Sequence, residues 1–269
     1  MADIWKLPTA RKGFGIELEF HIPSDIVREQ FTQEESKFFS RFRNNRRLNT
    51  YCLLKSDCSA GRTCDSGWDY MWDGLEINLG IFPLNNKGIS HFQETLNIIY
   101  DDIKVFMQKY KYKRPFSRTC GFHVHLSRTL FEKENSVDNF YGLFHQYQKD
   151  IFTQLVHKSR DGNIYNRKLH NADRTNDHYS CVNFNRVLYT IEIRHAGMTS
   201  NKETMINWMK FIQLMYHLSQ SPIKLNKFKR NDKLMEAIED LSHTTTIINK
   251  NKFMQWVESP DEDKFSTKF

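Results

Sequence analysis

Several features that would remove a chain from the ordinary globular class are missing here. No apolar run approaches the roughly 20 residues that a membrane-spanning helix needs. The opening Met1-Ala2-Asp3-Ile4-Trp5 does not form the charged segment and apolar stretch of an export signal. A soluble, cytoplasmic protein without a membrane partner is the expectation. Glycine and proline are scarce, 11 and 6 in 269 residues, and no Gly/Pro/Ser-rich linker divides the chain, which is long enough to bury a full core. Cysteines number five, an odd count that argues for reduced thiols rather than a disulfide framework. Cys52, Cys58 and Cys64 are evenly spaced, but zinc ligands usually pair across about two to four residues, so structural zinc is not read there. A Gly-x-x-x-x-Gly-Lys loop is also lacking, which sets aside a P-loop nucleotide site.

What is present is an excess of basic charge, +7 overall, with basic runs at Arg41–Arg47 and Lys224–Arg230. This favours anionic partners. Nucleic acid is the lesser reading, because those runs fall where the chain reads as helix surface or loop.

The most informative stretch is Gly13-Phe14-Gly15-Ile16-Glu17-Leu18-Glu19-Phe20-His21-Ile22. In a strand, Phe14, Ile16, Leu18, Phe20 and Ile22 line one face, while Glu17, Glu19 and His21 line the other. The two carboxylates at i and i+2 then stand about 7 Å apart on a half-buried strand. A lone Glu-x-Glu is most simply a solvated polar face, but the pattern recurs. Segment 74–81 alternates Leu75, Ile77, Leu79 and Ile81 against Glu76 and Asn78. Segment 120–127 alternates Phe122, Val124 and Leu126 against His123, His125 and Ser127. In segment 187–194, Tyr189, Ile191 and Ile193 point inward, with Thr190, Glu192 and Arg194 on the other face. Shorter strands are expected at 50–55 and 180–184.

Helical spacing predicts amphipathic helices over 90–110 and 137–155. A third opens at a Ser200-Asn201-Lys202-Glu203 capping box, and a fourth spans 233–241. A polar helix is expected over 26–43, a loop over 60–72, a polar loop over 159–177, a short helix over 252–257 and a frayed tail from 259. Residues 1–220 read as the main domain, and 221–269 as its helical extension and tail.

If the four strands lie in one sheet, at least four carboxylates share a face. They would repel one another unless divalent cations and a guanidinium sat among them. Oxygen ligands with an occasional imidazole point to Mg²⁺ or Mn²⁺ rather than zinc.

Six motifs occur in order: Gly-x-Glu-x-Glu ending at Glu19, Asp57-Cys58-Ser59, Gly74-Leu75-Glu76-Ile77, Cys120-Gly121-x-His123-Val124-His125-x-Ser127, Ser159-Arg160-x-x-Asn163-x-Tyr165 and Thr190-Ile191-Glu192-x-Arg194. From about Gly13 to Leu218 the chain resembles the amidoligases, relatives of glutamine synthetase and glutamate–cysteine ligase. The resemblance implies an α+β, glutamine-synthetase-like fold: an antiparallel sheet curved around a funnel-shaped site, with amphipathic helices packed on its outer face. It also implies an ATP-dependent carboxylate–amine ligase that forms a peptide or isopeptide bond through an acyl phosphate, with ATP and two or more Mg²⁺ or Mn²⁺ ions as cofactors. The substrates would be a carboxylate and an amine, a peptide or protein among the candidates.

By the same resemblance, Glu19 and Glu76 are ligands of the metal nearer the amino-acid substrate, and Glu17, His123 and Glu192 of the metal that bridges the nucleotide's terminal phosphates. Arg194 steadies the substrate carboxylate and the transferring phosphoryl group. His125 and Ser127 follow toward the nucleotide, and Arg160, Asn163 and Tyr165 belong to a loop motif that binds nucleotide or substrate. Asn78 shares the face of Glu76 as a substrate-binding candidate, and Asp57 is a candidate amine-site carboxylate. The chain departs from the family in a long insertion, rich in Trp and Asp, between Asp57 and Glu76, and no third carboxylate matches the last metal ligand of glutamine synthetase. The alternatives are a metal-dependent hydrolase or phosphotransferase, and a non-catalytic binding protein that keeps the fold.

Overall fold

The computed structural model describes residues 12–23, 52–56, 72–110, 116, 120–156, 166–171, 175–177, 179–199, 201–221 and 231–245. The helices expected over 26–43 and 252–257, most of the loop over 60–72 and the tail from 259 lie outside these residues, as do Asp57, Arg160, Asn163 and Tyr165.

Alternating segments become six strands: β1 (Phe14–Pro23), β2 (Cys52–Ser56), β3 (Trp72–Phe82), β4 (Gly121–Ser127), β5 (Val182–Asn185) and β6 (Thr190–Gly197). They form one sheet in the order β2-β3-β1-β4-β6-β5, and every neighbouring pair is antiparallel. Segments with helical spacing become α1 (Asn86–Tyr110), α2 (Ser136–Gln154), α3 (Lys202–Ser219) and α4 (Asp232–Thr245). The molecule is therefore α+β. Among the described residues, no helix is long and apolar enough to cross a membrane.

The apolar parity of the strands makes one side of the core. Phe14, Ile16, Leu18 and Phe20 of β1, Ile77 of β3, Phe122, Val124 and Leu126 of β4 and Ile191 of β6 are all buried. Phe92 of α1 closes over them, its ring centroid 6.1 Å from Phe14, 5.6 Å from Phe82 and 6.2 Å from Phe122. Phe144 of α2 and Trp208 and Phe211 of α3 extend the aromatic layer. Leu234, Ile238 and Leu241 of α4 are buried in the same core. Burying each such side chain is worth about 1.5–3 kcal/mol, and a one-residue slip of any strand would turn its apolar set to the wrong side. The apolar face thus fixes which residues lie on the opposite one.

Three boundaries differ from the sequence expectations for local reasons. The last strand begins at Thr190, not at residue 187. Asn185 Oδ1 accepts hydrogen bonds from the N–H groups of Val187 (3.1 Å) and Leu188 (3.0 Å), and Tyr189 takes φ 53° to close the hairpin. Tyr189, expected to point inward, is consequently 49% exposed. Helix α1 starts at Asn86, before the expected residue 90, and Asn85 Oδ1 accepts from the Gly88 N–H at 2.9 Å. Helix α3 is capped by Asn201, its Oδ1 accepting from the N–H groups of Glu203 (3.0 Å) and Thr204 (3.4 Å), and the expected cap Ser200 lies outside the described residues.

Candidate metal centre

Residues directly opposite one another in an antiparallel sheet point to the same face. Glu17 is opposite Asn78 on one side and His123 on the other, and Glu19 is opposite Glu76. His125 is opposite Glu192, which is opposite Asn183. The strands that carry these ionisable groups, β3, β1, β4 and β6, are the four inner strands of the sheet. A β-bulge sets Arg194 and His195 together against His123. Arg194 turns to Glu192, whereas the His195 ring lies among Phe144, Phe152 and Trp208 on the helix side.

Although it lies on the face away from the apolar core, the cluster is shielded from water. Glu19, Glu76, His123, His125, Glu192 and Arg194 are all buried, and Glu17 is half-buried. Two imidazoles bracket Glu17, with His123 Nδ1 3.2 Å from its Oε2 and His125 Nε2 3.0 Å from its Oε1. His123 Nδ1 also lies 3.4 Å from Glu19 Oε1 and 3.7 Å from Glu192 Oε1. Both oxygens of Glu192 are engaged: Arg194 Nη1 donates to Oε1, and Asn183 Nδ2 donates to Oε2 at 3.0 Å. The Gly121 N–H donates to Glu19 Oε2 at 2.5 Å. A Cβ at Gly121 would stand 2.1 Å from His123 Nε2, so the ring folds back over a position that has no room for a side chain. This accounts for the glycine two residues before His123 in the fourth motif.

Burial opposes ionisation of Glu17, but the charge of His125 and hydrogen bonds with both histidines outweigh it and hold the carboxyl well below its usual range. Glu192 is likewise lowered, because His125 and Arg194 overcome the cost of its burial. For His125 the balance runs the other way: burial lowers its pKa, yet Glu17 above all, then Glu192 and Glu76, push it up to about 9.

The donor set fits a divalent cation. Glu17, His125 and Glu192 each offer one ligand atom, and these atoms all lie within 4.8 Å of one another. The expectation grouped His123 with Glu17 and Glu192 and sent His125 toward the nucleotide. The group of converging ligand atoms contains His125, while His123 Nδ1 lies 3.2 Å from Glu17 Oε2 and 3.7 Å from Glu192 Oε1, and Nε2 of both histidines is buried with no hydrogen-bond partner.

Of the remaining sequence candidates, Glu76 lies buried beside Glu19, and Asn78 is half-buried beside Glu17. Ser127 ends β4 with its Oγ 2.7 Å from Thr129 Oγ1, within the 3₁₀ turn Arg128–Leu130. One contributor was absent from the sequence-based set, Asn183, which donates to Glu192, and Thr190, read there only as a motif member on the polar face, has its Oγ1 3.1 Å from His125 Nδ1. The alternation Val182-Asn183-Phe184-Asn185 carried the signal for Asn183, since it sends both amides to the polar face. Compared with models of known protein families and with curated proteins, the chain matches none.

Proposed function

We propose that the chain is an ATP-dependent carboxylate–amine ligase of glutamine-synthetase-like architecture, with the polar face of its sheet as the floor of the active site. The observation that carries this reading is the gathering of Glu17, Glu19, Glu76, Glu192, His123, His125 and Arg194 on one shielded sheet face. The resemblance of the ordered motifs to amidoligases supports it further.

Glu17, His125 and Glu192 would hold one ion, and Glu19 with Glu76 a second. Bound there, Mg²⁺ or Mn²⁺ supplies neutralisation of the charge that develops on a transferring phosphoryl group. A carboxylate is a poor electrophile, so ligation first converts it to an acyl phosphate, and an amine then displaces phosphate to leave an amide. Arg194 offers a planar fork suited to a carboxylate or phosphoryl group, and Glu192 orients that fork. Asn183 keeps Glu192 from turning away. Burial strengthens each of these interactions by excluding water.

The test is a screen of carboxylates and amines for ADP release in the presence of Mg²⁺ or Mn²⁺. A ligase releases ADP and phosphate only when both substrates are supplied. Nucleotide hydrolysis indifferent to the amine would instead make the chain a metal-dependent hydrolase or phosphotransferase. Absence of both cation binding and nucleotide turnover would overturn the proposal.

A further inference from the structure

We propose that Thr190 is a positioning residue that makes His125 present a lone pair, rather than a proton, to a cation held with Glu17 and Glu192. This rests on the reading of those three residues as ligands. The ring of His125 is buried: Nδ1 lies 3.1 Å from Thr190 Oγ1, and Nε2, which has no hydrogen-bond partner, lies 3.0 Å from Glu17 Oε1. A neutral imidazole carries one N–H and one lone pair. When Nδ1–H donates to the Thr190 hydroxyl, the lone pair is left on Nε2, the nitrogen that faces Glu17.

The carboxylate of Glu17 favours a proton on Nε2, so a cation has to take that position from a proton and leave the remaining N–H on Nδ1. Without the Thr190 hydroxyl that Nδ1–H is left buried with no acceptor, a cost taken directly from cation binding. Thr190 is well placed for this task. It is opposite Ser127 in the register, one pair along the same face from His125 and Glu192. One strand therefore carries the positioning hydroxyl, the ligand carboxylate and the guanidinium at i, i+2 and i+4, which gives the first member of Thr190-Ile191-Glu192-x-Arg194 a physical reason.

The experiment compares wild type with Thr190→Val, which keeps the shape and removes Oγ1, and with Thr190→Ser, which keeps the hydroxyl. Mn²⁺ affinity is read from the paramagnetic resonance of free ion, alongside the melting temperature of each ion-free protein. Thr190→Val should bind Mn²⁺ about 10- to 100-fold more weakly at an unchanged melting temperature, as removal of a partner behind a metal ligand typically does. Thr190→Ser should bind close to wild type. Nitrogen-15 spectra of Mg²⁺-loaded wild type should show the His125 proton on Nδ1. Equal affinities of valine variant and wild type, failure of serine to rescue, or a proton found on Nε2 would each overturn the assignment. The serine variant and the spectra decide the matter even if the valine variant does not fold. Wild type that binds no Mn²⁺ overturns the ligand reading and this inference together, whereas wild-type binding that the valine change leaves intact overturns the inference alone.

Discussion

Glu192 accepts from Arg194 at one oxygen and from Asn183 at the other, so its carboxylate is fixed in plane and direction before any ligand arrives. The same contact fixes Arg194, and this makes the arginine a test of how charge is handled on this face. Arg194→Lys retains the positive charge but replaces a flat fork with a point charge, which matches a carboxylate or phosphoryl group poorly. Turnover should fall about ten- to a thousand-fold, the range for losing one oriented electrostatic stabiliser. ADP affinity should change little. Single-turnover rates measured beside ADP dissociation constants check this, and lost binding at an unchanged rate would assign Arg194 to ground-state recognition. The acids and imidazoles of the cluster were legible in the sequence, because a two-residue period assigns every side chain of a strand to a face. The partners behind them were less so. A neutral amide such as Asn183 or a hydroxyl such as Thr190 is ordinary on a strand, and only distance reveals which side chain it serves.

Among the elements, β4 carries a demanding constraint, since His123 folds over Gly121. Gly121→Ala should force the buried ring to move and cost about 1–3 kcal/mol, the range for overpacking, measurable by urea denaturation. An unchanged midpoint would show that the ring has room elsewhere. Helix α3 offers a second test: Asn201→Ala should cost about 1 kcal/mol through loss of the cap. An unchanged stability would restore the capping box read from sequence. That box and the overlong last strand share a cause. Ser-x-x-Glu and Leu188-Tyr189 satisfy the local pattern, but the backbone is settled by which side chain captures which N–H. At Asn185 and Asn201 a side-chain oxygen does so within the following three residues.

At the scale of the whole molecule, the sheet divides the chain into an apolar layer under helices and a polar face holding the charged cluster. Parity along each strand foretold that division, but not strand order: β3, β1, β4 and β6 become inner neighbours through pairings between distant segments. That order concentrates opposing charges, and the result is a pH dependence with a definite sign. The folded pKa of His125 is raised from 6.5 to about 9, so its stabilising contribution is complete below 6.5 and is lost as pH rises toward 9. Glu17 and Glu192 are lowered from 4.5, so theirs is complete above 4.5 and is lost as pH falls below it. Ion-free protein should accordingly be most stable between these limits, with a declining melting temperature on either side. A cation held as proposed would compete with the His125 proton, so Mg²⁺ affinity should rise from pH 6.5 to about 9, by up to about tenfold per pH unit. The gain in melting temperature that saturating Mg²⁺ confers should widen over the same interval, because a ligand stabilises the fold it binds. Thermal melts with and without Mg²⁺ across that range measure both effects. A gap that narrows with rising pH would mean that His125 is not displacing its proton to bind the ion, and the imidazole ligand would then have to be sought in His123.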